Sequence, residues 1–429
     1  MSTDLKEGKS WYALLIFIGC CCLCAGGYGS ILSTVAVYVV PVVTALGCGV
    51  GDYMLFMTLF SIAACVTMPV WGKMLHTKNI RVVSTVAVAI VLVAQLMFAF
   101  GASFGVAWYW AWGTVLGLSL ACTGALIPPV LINNWFDKSV AGKYLGIAAA
   151  CSGFGAFVFA PLFTQFIAMF GYQMTYFINV AIAAALMLPF TLFVFRYKPE
   201  EMGLAPYGSK GTPVQTGGSA SREIAGMTKK EALRSGVFYV LIFMLVCITL
   251  VYGFNSNMVS LAQELAAGFM SDPAAIAMLG ATMVSAASIG NVLSKVLFGF
   301  VSDKLGISAT FLGFTVAILV AFVLWAFFPD GEAILLVGAF LFGFNAALAN
   351  VGFPLLARAL FGDREYGPIY STIASANALI GGVSATIIGY VYQLSGSYEP
   401  ALIGSIVVVV VFGACYIAIS GKVKKGMNA

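Results

Sequence analysis

The chain is a succession of long apolar runs separated by short polar breaks. The runs are continuous and do not alternate apolar with polar residues as half-buried strands do. A bilayer core takes about 20 apolar residues per helix. Backbone groups inside lipid must bond within their own segment or within a closed barrel. Continuous runs of this length therefore predict helices. Twelve are predicted, over 11–40, 53–72, 82–101, 106–134, 143–169, 174–195, 236–263, 274–299, 308–328, 333–357, 368–394 and 400–420. The first is too long for a cleavable signal peptide, and no clear cleavage site follows it.

One hydrophilic stretch stands apart. Residues 196–235 form the only long polar segment, and its middle, Gly208 to Ser221, has the Gly, Ser and Thr content of a flexible linker. The expected organisation is a six-helix bundle over 1–195, a cytoplasmic linker over 196–235 and a second six-helix bundle over 236–429. The two halves echo each other. Pro129, Leu131, Phe136, Gly142 and Gly171 recur as Pro354, Leu356, Phe361, Gly367 and Gly396, all at an offset of 225, and Gly72 pairs with Gly299 at 227. The chain thus reads as an all-α membrane protein whose two bundles are related by a parallel pseudo-twofold axis along the membrane normal. In such repeats substrate binds near the midplane, and rocking exposes it to each side in turn.

Composition excludes a soluble domain. Hydrophobic residues make up 61% of the chain, charged residues 9%, and mean hydropathy is +1.01. There is too little polar surface to cover a water-soluble fold. Charge sets the orientation. Twenty of the 21 Lys and Arg lie in the N-terminal segment, the C-terminal tail, the central segment or the breaks after even-numbered spans, counting Lys143 at the first position of the fifth span. The other breaks carry only acids: Asp52, Glu264, Asp272, Asp330, Glu332 and Glu399. Basic loops stay on the cytoplasmic side, so both termini are expected there, and the compact loops point to a bacterial inner membrane. This distribution accounts for the net charge of +5, and no nucleic-acid partner is implied.

Little else in the composition carries chemistry. Cys21 and Cys24 have CxxC spacing, but they sit in an apolar helix, where thiols pack as small hydrophobes. No Cys/His cluster has metal spacing, and His76 is the only histidine. A phosphate-binding G-x-x-x-x-G-K-[ST] loop is absent, as is any His-Glu-x-x-His motif. The expectation is a non-enzymatic protein with no cofactor and no metal, not driven by ATP, for which a monomer suffices.

The remaining cation, Lys295, is the main candidate. It lies eight residues before Asp303, about 12 Å along a helix, against a half-thickness of about 15 Å for the bilayer core. An ionisable group at that depth is costly and marks function by default. No Asp or Glu falls within the spans as drawn. A transported carboxylate would supply the missing counter-charge. The alternative is a lysine that snorkels or stays partly deprotonated in a wet cavity. Gln95, Gln165, Asn179, Asn255, Asn257, Asn345 and Asn350 are amides of the kind that glue helices together. Tyr28, within Gly26-Gly-Tyr-Gly-Ser30, could donate to a carboxylate or simply pack. Trp108, Tyr109, Trp110 and Trp112 fit an interfacial belt.

The segment Gly299-Phe-Val-Ser-Asp303-Lys304-Leu-Gly306 resembles the cytoplasmic signature loop of the major facilitator superfamily. In that family the loop is a conformational latch, which implies gating roles for Gly299, Asp303 and Lys304. The first-half copy, Gly72 to Lys78, has His76 where the Asp would stand. Asn134-Trp-Phe-Asp-Lys138 with Gly142, Gly146, Gly153 and Gly155, and Gly367-Pro-Ile-Tyr370 with Gly381, Gly389, Tyr392 and Gly396, resemble the monocarboxylate and oxalate/formate porter branch. The resemblance places Lys295 where that branch carries its substrate-binding Arg, and Asn291 where many proton-coupled members carry Asp. It also makes span 7 cavity-lining, which raises Asn255 and Asn257 beside Tyr252. Oxalate exchangers place a second cation on span 11. Here the central polar residue of span 11 is Asn377, which favours a monocarboxylate over a small dicarboxylate. Arg358 reads as a snorkelling anchor with a gating role as the alternative. The implied activity is a secondary carrier for a small organic anion, working as exchanger or facilitator. The alternatives are a proton-coupled carboxylate symporter and a drug or amphiphile exporter of the same fold.

Overall fold

The structure, a computed structural model, describes residues 11–208, 226–362 and 364–427. Lys6, Lys9, Lys210, Arg222 and the middle of the expected linker, 209–225, lie outside the described residues. Helices dominate, and the only β pairing among the described residues is two isolated bridges, Phe136–Tyr207 and Gly226–Gly362. We number the apolar helices α1 (Trp11–Leu46), α2 (Val50–Thr77), α3 (Ile80–Phe98), α4 (Val106–Trp135), α5 (Val140–Val194), α6 (Gly236–Ala266), α7 (Pro273–Leu305), α8 (Ile307–Phe327), α9 (Glu332–Phe361), α10 (Tyr366–Ser395) and α11 (Glu399–Met427). Among the described residues ten helices are long and apolar enough to cross a membrane, and α10 adds a shorter apolar helix, Leu379–Ser395.

Two differences from the expected spans have clear physical causes. The fifth and sixth spans are joined in α5, which departs from helical geometry at Gly171, with φ 78° and ψ 162°. Glycine lacks the Cβ that forbids this region, so the chain can turn there without an intervening loop. Helix also runs past the expected ends at Asp52 in α2 and Glu264 in α6. Each carboxylate is satisfied locally. Asp52 accepts from Tyr390 Oη at 3.1 Å and Gln393 Nε2 at 2.8 Å. Glu264 accepts from Ser397 Oγ at 2.6 Å and from the Tyr398 backbone N–H at 2.8 Å.

The chain forms two compact units, Met1–Leu46 with Ile62–Gly218 and Gly47–Ser61 with Ser219–Ala429. The first turns of α2 thus belong to the second unit. There the Thr58 hydroxyl lies 2.8 Å from that of Thr386, which donates to the Met54 carbonyl at 2.7 Å.

Several local features recur within one residue of the offset seen in the sequence. A π-helical turn over Cys122–Leu126 leads into a helix with Pro at its start, Ile127–Trp135, and a second over Leu348–Gly352 leads into Phe353–Phe361 with Pro354 at its start. Proline belongs at such positions because its missing N–H has no helical partner to lose. Gly396 matches Gly171 with φ 76°, and Gly105 and Gly331 both take positive φ where α4 and α9 begin.

Aromatic stacking and buried amides hold each unit. In the first, Tyr38 of α1 stacks on Tyr176 of α5 at 4.1 Å, and Asn179 Nδ2 donates to the Ser30 carbonyl at 2.9 Å. In the second, Phe311 stacks on Tyr416 at 4.4 Å, and Asn345 Nδ2 donates to the Ile248 carbonyl at 2.8 Å. Asn257 Nδ2 reaches the Gly253 and Ala385 carbonyls, both at 3.1 Å. These three amides tie helix to helix, as intramembrane amides commonly do.

Candidate functional site

The candidate site begins with one face of α7. Ser288, Asn291, Lys295, Gly299 and Ser302 follow at steps of three and four residues, so they stack along one side of the helix. Two of the hydroxyls are used internally: Ser288 Oγ donates to the Val284 carbonyl and Ser302 Oγ to the Gly299 carbonyl, both at 2.8 Å. Asn291 and Lys295 are half-buried. Among the described residues neither side chain makes a hydrogen bond or ion pair. An amide and an ammonium one turn apart, both with spare donors, can hold a carboxylate.

Helix α6 packs against both α7 and α10. On α6, Asn255 is half-buried and its side chain has no partner among the described residues. Asn377 of α10 is also half-buried, but its Oδ1 accepts from Thr249 Oγ1 of α6 at 2.6 Å. That bond leaves the Asn377 NH2 group to donate elsewhere. Lys295, Asn255, Asn291 and Asn377 thus share one unit. Sequence reasoning missed Thr249, since a lone threonine in an apolar helix carries no signal. It also missed Ser288 and Ser302, although their sevenfold spacing around Lys295 was there to be read.

Tyr28 belongs to the first unit. It sits in a π-helical stretch, Cys24–Leu32, an irregularity frequent at functional sites. Its ring lies against Gly124, in space that any side chain at that position would fill. Its hydroxyl has no partner among the described residues. Asn179, by contrast, is fully buried in the same unit and committed to Ser30.

The residues expected to gate lie at the end of α7 and in α9. Gly299 has open space where a Cβ would project. Asp303 stands in the last turn of α7. The Lys304 ammonium lies 4.4 Å from the centre of the Phe300 ring, a cation–π contact. Gly306 then takes φ 82° and turns the chain into α8. The first half uses a different device at the matching place: Asn79 caps α3, its Oδ1 accepting from the Arg81 N–H at 2.9 Å. Arg358 is exposed, and its carbonyl accepts from the Gly362 N–H at 2.9 Å. No group of His, Cys, Asp and Glu that could hold a metal occurs among the described residues.

The family model of the Major Facilitator Superfamily matches residues 16–385 and 245–426. Comparison with curated proteins gives no match. Among solved structures, the nucleoside transporter NupG superposes with a TM-score of 0.73 at 14% identity, covering 96% of this chain and 99% of that one. A bacterial homologue of the human lysosomal transporter Spinster is similar in two inward-facing forms. Its unoccupied form gives a TM-score of 0.66 and its occupied form 0.69, both at 14% identity and covering 98% of this chain and 99% of that one. At these identities the likeness is one of fold. With the family model covering most of its length and long apolar helices throughout, this chain belongs to the major facilitator superfamily, and it is a multi-pass membrane transporter rather than an enzyme.

Proposed function

We propose that this protein is a secondary carrier for a small organic anion, chiefly a monocarboxylate, with Lys295 as the carboxylate-binding residue. The observation that carries this reading is the state of Lys295. It is the one cation outside the basic breaks and tail, it is half-buried in an apolar helix, and no described residue pairs with it. A charge in such a place needs an anion. Asn291 and Asn255 supply free amides, and Asn377 and Tyr28 complete the candidate set. The carrier works by alternating access as an exchanger or facilitator, with twelve spans in two bundles over 1–195 and 236–429 joined by 196–235. Both termini lie in the cytoplasm of a cell whose inner membrane holds it, and a monomer suffices. Gly299, Asp303, Lys304 and Arg358 serve the conformational change. The resemblance to the monocarboxylate and oxalate/formate branch supports the anion, and Lys in place of Arg exchanges a bidentate fork for a point charge.

Proton-coupled symport is a second reading only if Lys295 itself exchanges the proton, since Asn291 has no titratable group. A drug exporter is disfavoured because a cationic substrate would meet Lys295. The direct test is ligand-induced stabilisation of the purified protein, which follows mass action. Monocarboxylates, dicarboxylates, nucleosides and lipophilic cations are compared on wild type and Lys295→Ala. Stabilisation by carboxylates that disappears in the variant supports the reading. Stabilisation by nucleosides or cations alone sinks it.

A further inference from the structure

A cavity of about 240 Å³ opens between the start of α3 and the chain that leaves α5. Thr77, Lys78 and Asn79 form one wall, and Arg196, Tyr197 and Glu201 the other. All six belong to the first unit and none belongs to the candidate transport site.

The second wall is fixed by its own backbone. Five successive carbonyls, from Phe193 to Tyr197, each accept a side-chain hydrogen bond. The Arg81 guanidinium donates to Phe193 at 2.6 Å and to Phe195 at 3.0 Å. Tyr12 donates to Val194, Trp135 Nε1 to Arg196 at 2.8 Å, and Asn134 Nδ2 to Tyr197 at 3.0 Å. Carbonyls leaving a helix have no intrahelical donor, and here α1, α3 and α4 supply them. The backbone of Arg196 is therefore set before any ligand arrives, so only its side chain has to be ordered on binding.

The charges facing the cavity are uncommitted. Among the described residues, the side chains of Lys78, Arg196 and Glu201 make no ion pair or hydrogen bond. The N-terminus of α3, a helix of 19 residues, adds partial positive charge beside Lys78. The volume is below the roughly 300–1,000 Å³ of pockets that enclose a whole organic ligand. It suits a compact headgroup whose remainder lies outside. Exposed apolar side chains continue from both walls: Val82 and Val86 on α3, Leu192 and Phe193 at the end of α5.

We propose that this cavity binds the phosphoethanolamine headgroup of a bilayer phospholipid. Lys78, Arg196 and the start of α3 take the phosphate, and Glu201 takes the ammonium. The acyl chains run over Val82, Val86 and Phe193. Two cations alone would accept any phosphate, and Glu201 is the element that selects an amine-bearing headgroup over a glycerol one.

The test uses the purified full-length chain in mild detergent. Phosphatidylethanolamine and phosphatidylglycerol are titrated separately, and bound lipid is counted by native mass spectrometry. Wild type is expected to favour the ethanolamine lipid. Glu201→Gln is expected to weaken that lipid about tenfold, equivalent to about 1.4 kcal/mol, and to leave the glycerol lipid unchanged. Arg196→Ala is expected to weaken both, while Lys73→Ala, outside the cavity, changes neither. Melting temperatures show whether each variant is folded, and Glu201→Gln decides the question if Arg196→Ala is not. Equal binding of both lipids by wild type, or an unchanged preference in Glu201→Gln, would overturn the proposal. So would displacement of the lipid by millimolar inorganic phosphate, which would make this a free-phosphate site.

Discussion

Lys295 could be picked out from sequence because twenty other cations obey a rule that it breaks. Its amide neighbours were harder to sort. Asn255 and Asn291 have unpartnered side chains among the described residues, whereas Asn179, Asn257 and Asn345 spend their NH2 groups on carbonyls of neighbouring helices. Sequence shows the amide but not whether a carbonyl faces it, so Asn257 stood level with Asn255 until the packing was known. Lys295→Ala should raise the half-saturation concentration for a carboxylate by at least about tenfold, since a hydrogen bond to a charged group is worth about 1.5–3 kcal/mol. Lys295→Arg should retain part of the affinity, as it keeps the charge and changes the geometry. Titration of one labelled carboxylate against the three proteins checks both. Asn377→Ala should cost about 1–3 kcal/mol of stability by stranding the buried Thr249 hydroxyl. Thr249→Val in the same chain should recover part of that loss, and a double-mutant cycle in thermal melts measures the coupling.

At the scale of helices, close approach and caps decide what the pattern of apolar residues leaves open. Gly253 of α6 meets α10 backbone to backbone: a Cβ there would lie 2.5 Å from the Ser384 carbonyl oxygen. Gly253→Ala should therefore destabilise by about 1–3 kcal/mol, the range for overpacking. Gly313→Ala, with open space around it, should be neutral or stabilise by up to about 1 kcal/mol, because alanine is the better helix former. Melting temperatures of the two variants should move apart. Apolar length placed these helices, but it could not show that 143–169 and 174–195 are continuous but for Gly171, since a single residue with positive φ leaves no gap in hydropathy. The same holds for the helical turns around Asp52 and Glu264, whose partners, Gln393 and Tyr398, lie far away in sequence.

One short helix outside the spans carries a pH dependence. Thr228 and Glu231 form a reciprocal capping box at the start of Lys229–Arg234. The Thr228 backbone N–H, donating to the Glu231 carboxylate, holds its pKa below the ordinary 4.5. A depressed carboxylate stabilises the folded cap fully above the unfolded value, and that contribution disappears as pH falls through the folded value. Hydrogen exchange at the Thr228 amide, corrected for intrinsic rates, should lose protection on acidification below about pH 4.5. Glu231→Gln should remove this pH dependence, and an unchanged profile would contradict the cap.

For the whole molecule, the membrane class and the superfamily could be read from apolar length, the basic breaks and the signature around Asp303. The recurrence also had a physical basis: Gly171 and Gly396, at an offset of 225, both take positive φ, and Pro128 and Pro354, at 226, each take the second position of a helix after a π turn. Residues kept for backbone geometry mark a repeat more reliably than apolar residues, which are interchangeable in lipid. The two-unit division was less readable, because nothing in the apolar pattern of α2 shows that Gly47–Ser61 joins the second unit. What the sequence and fold leave to chemistry is the substrate, and the central claim is that an organic carboxylate meets Lys295. Counterflow in proteoliposomes tests this most directly, since it requires no knowledge of the driving ion. Vesicles loaded with each of a panel of mono- and dicarboxylates are assayed for uptake of the labelled compound by wild type and Lys295→Ala. Saturable exchange of a monocarboxylate that is lost in the folded variant is the predicted result. Exchange that persists without Lys295, or folded wild type that exchanges no carboxylate at all, would contradict the account.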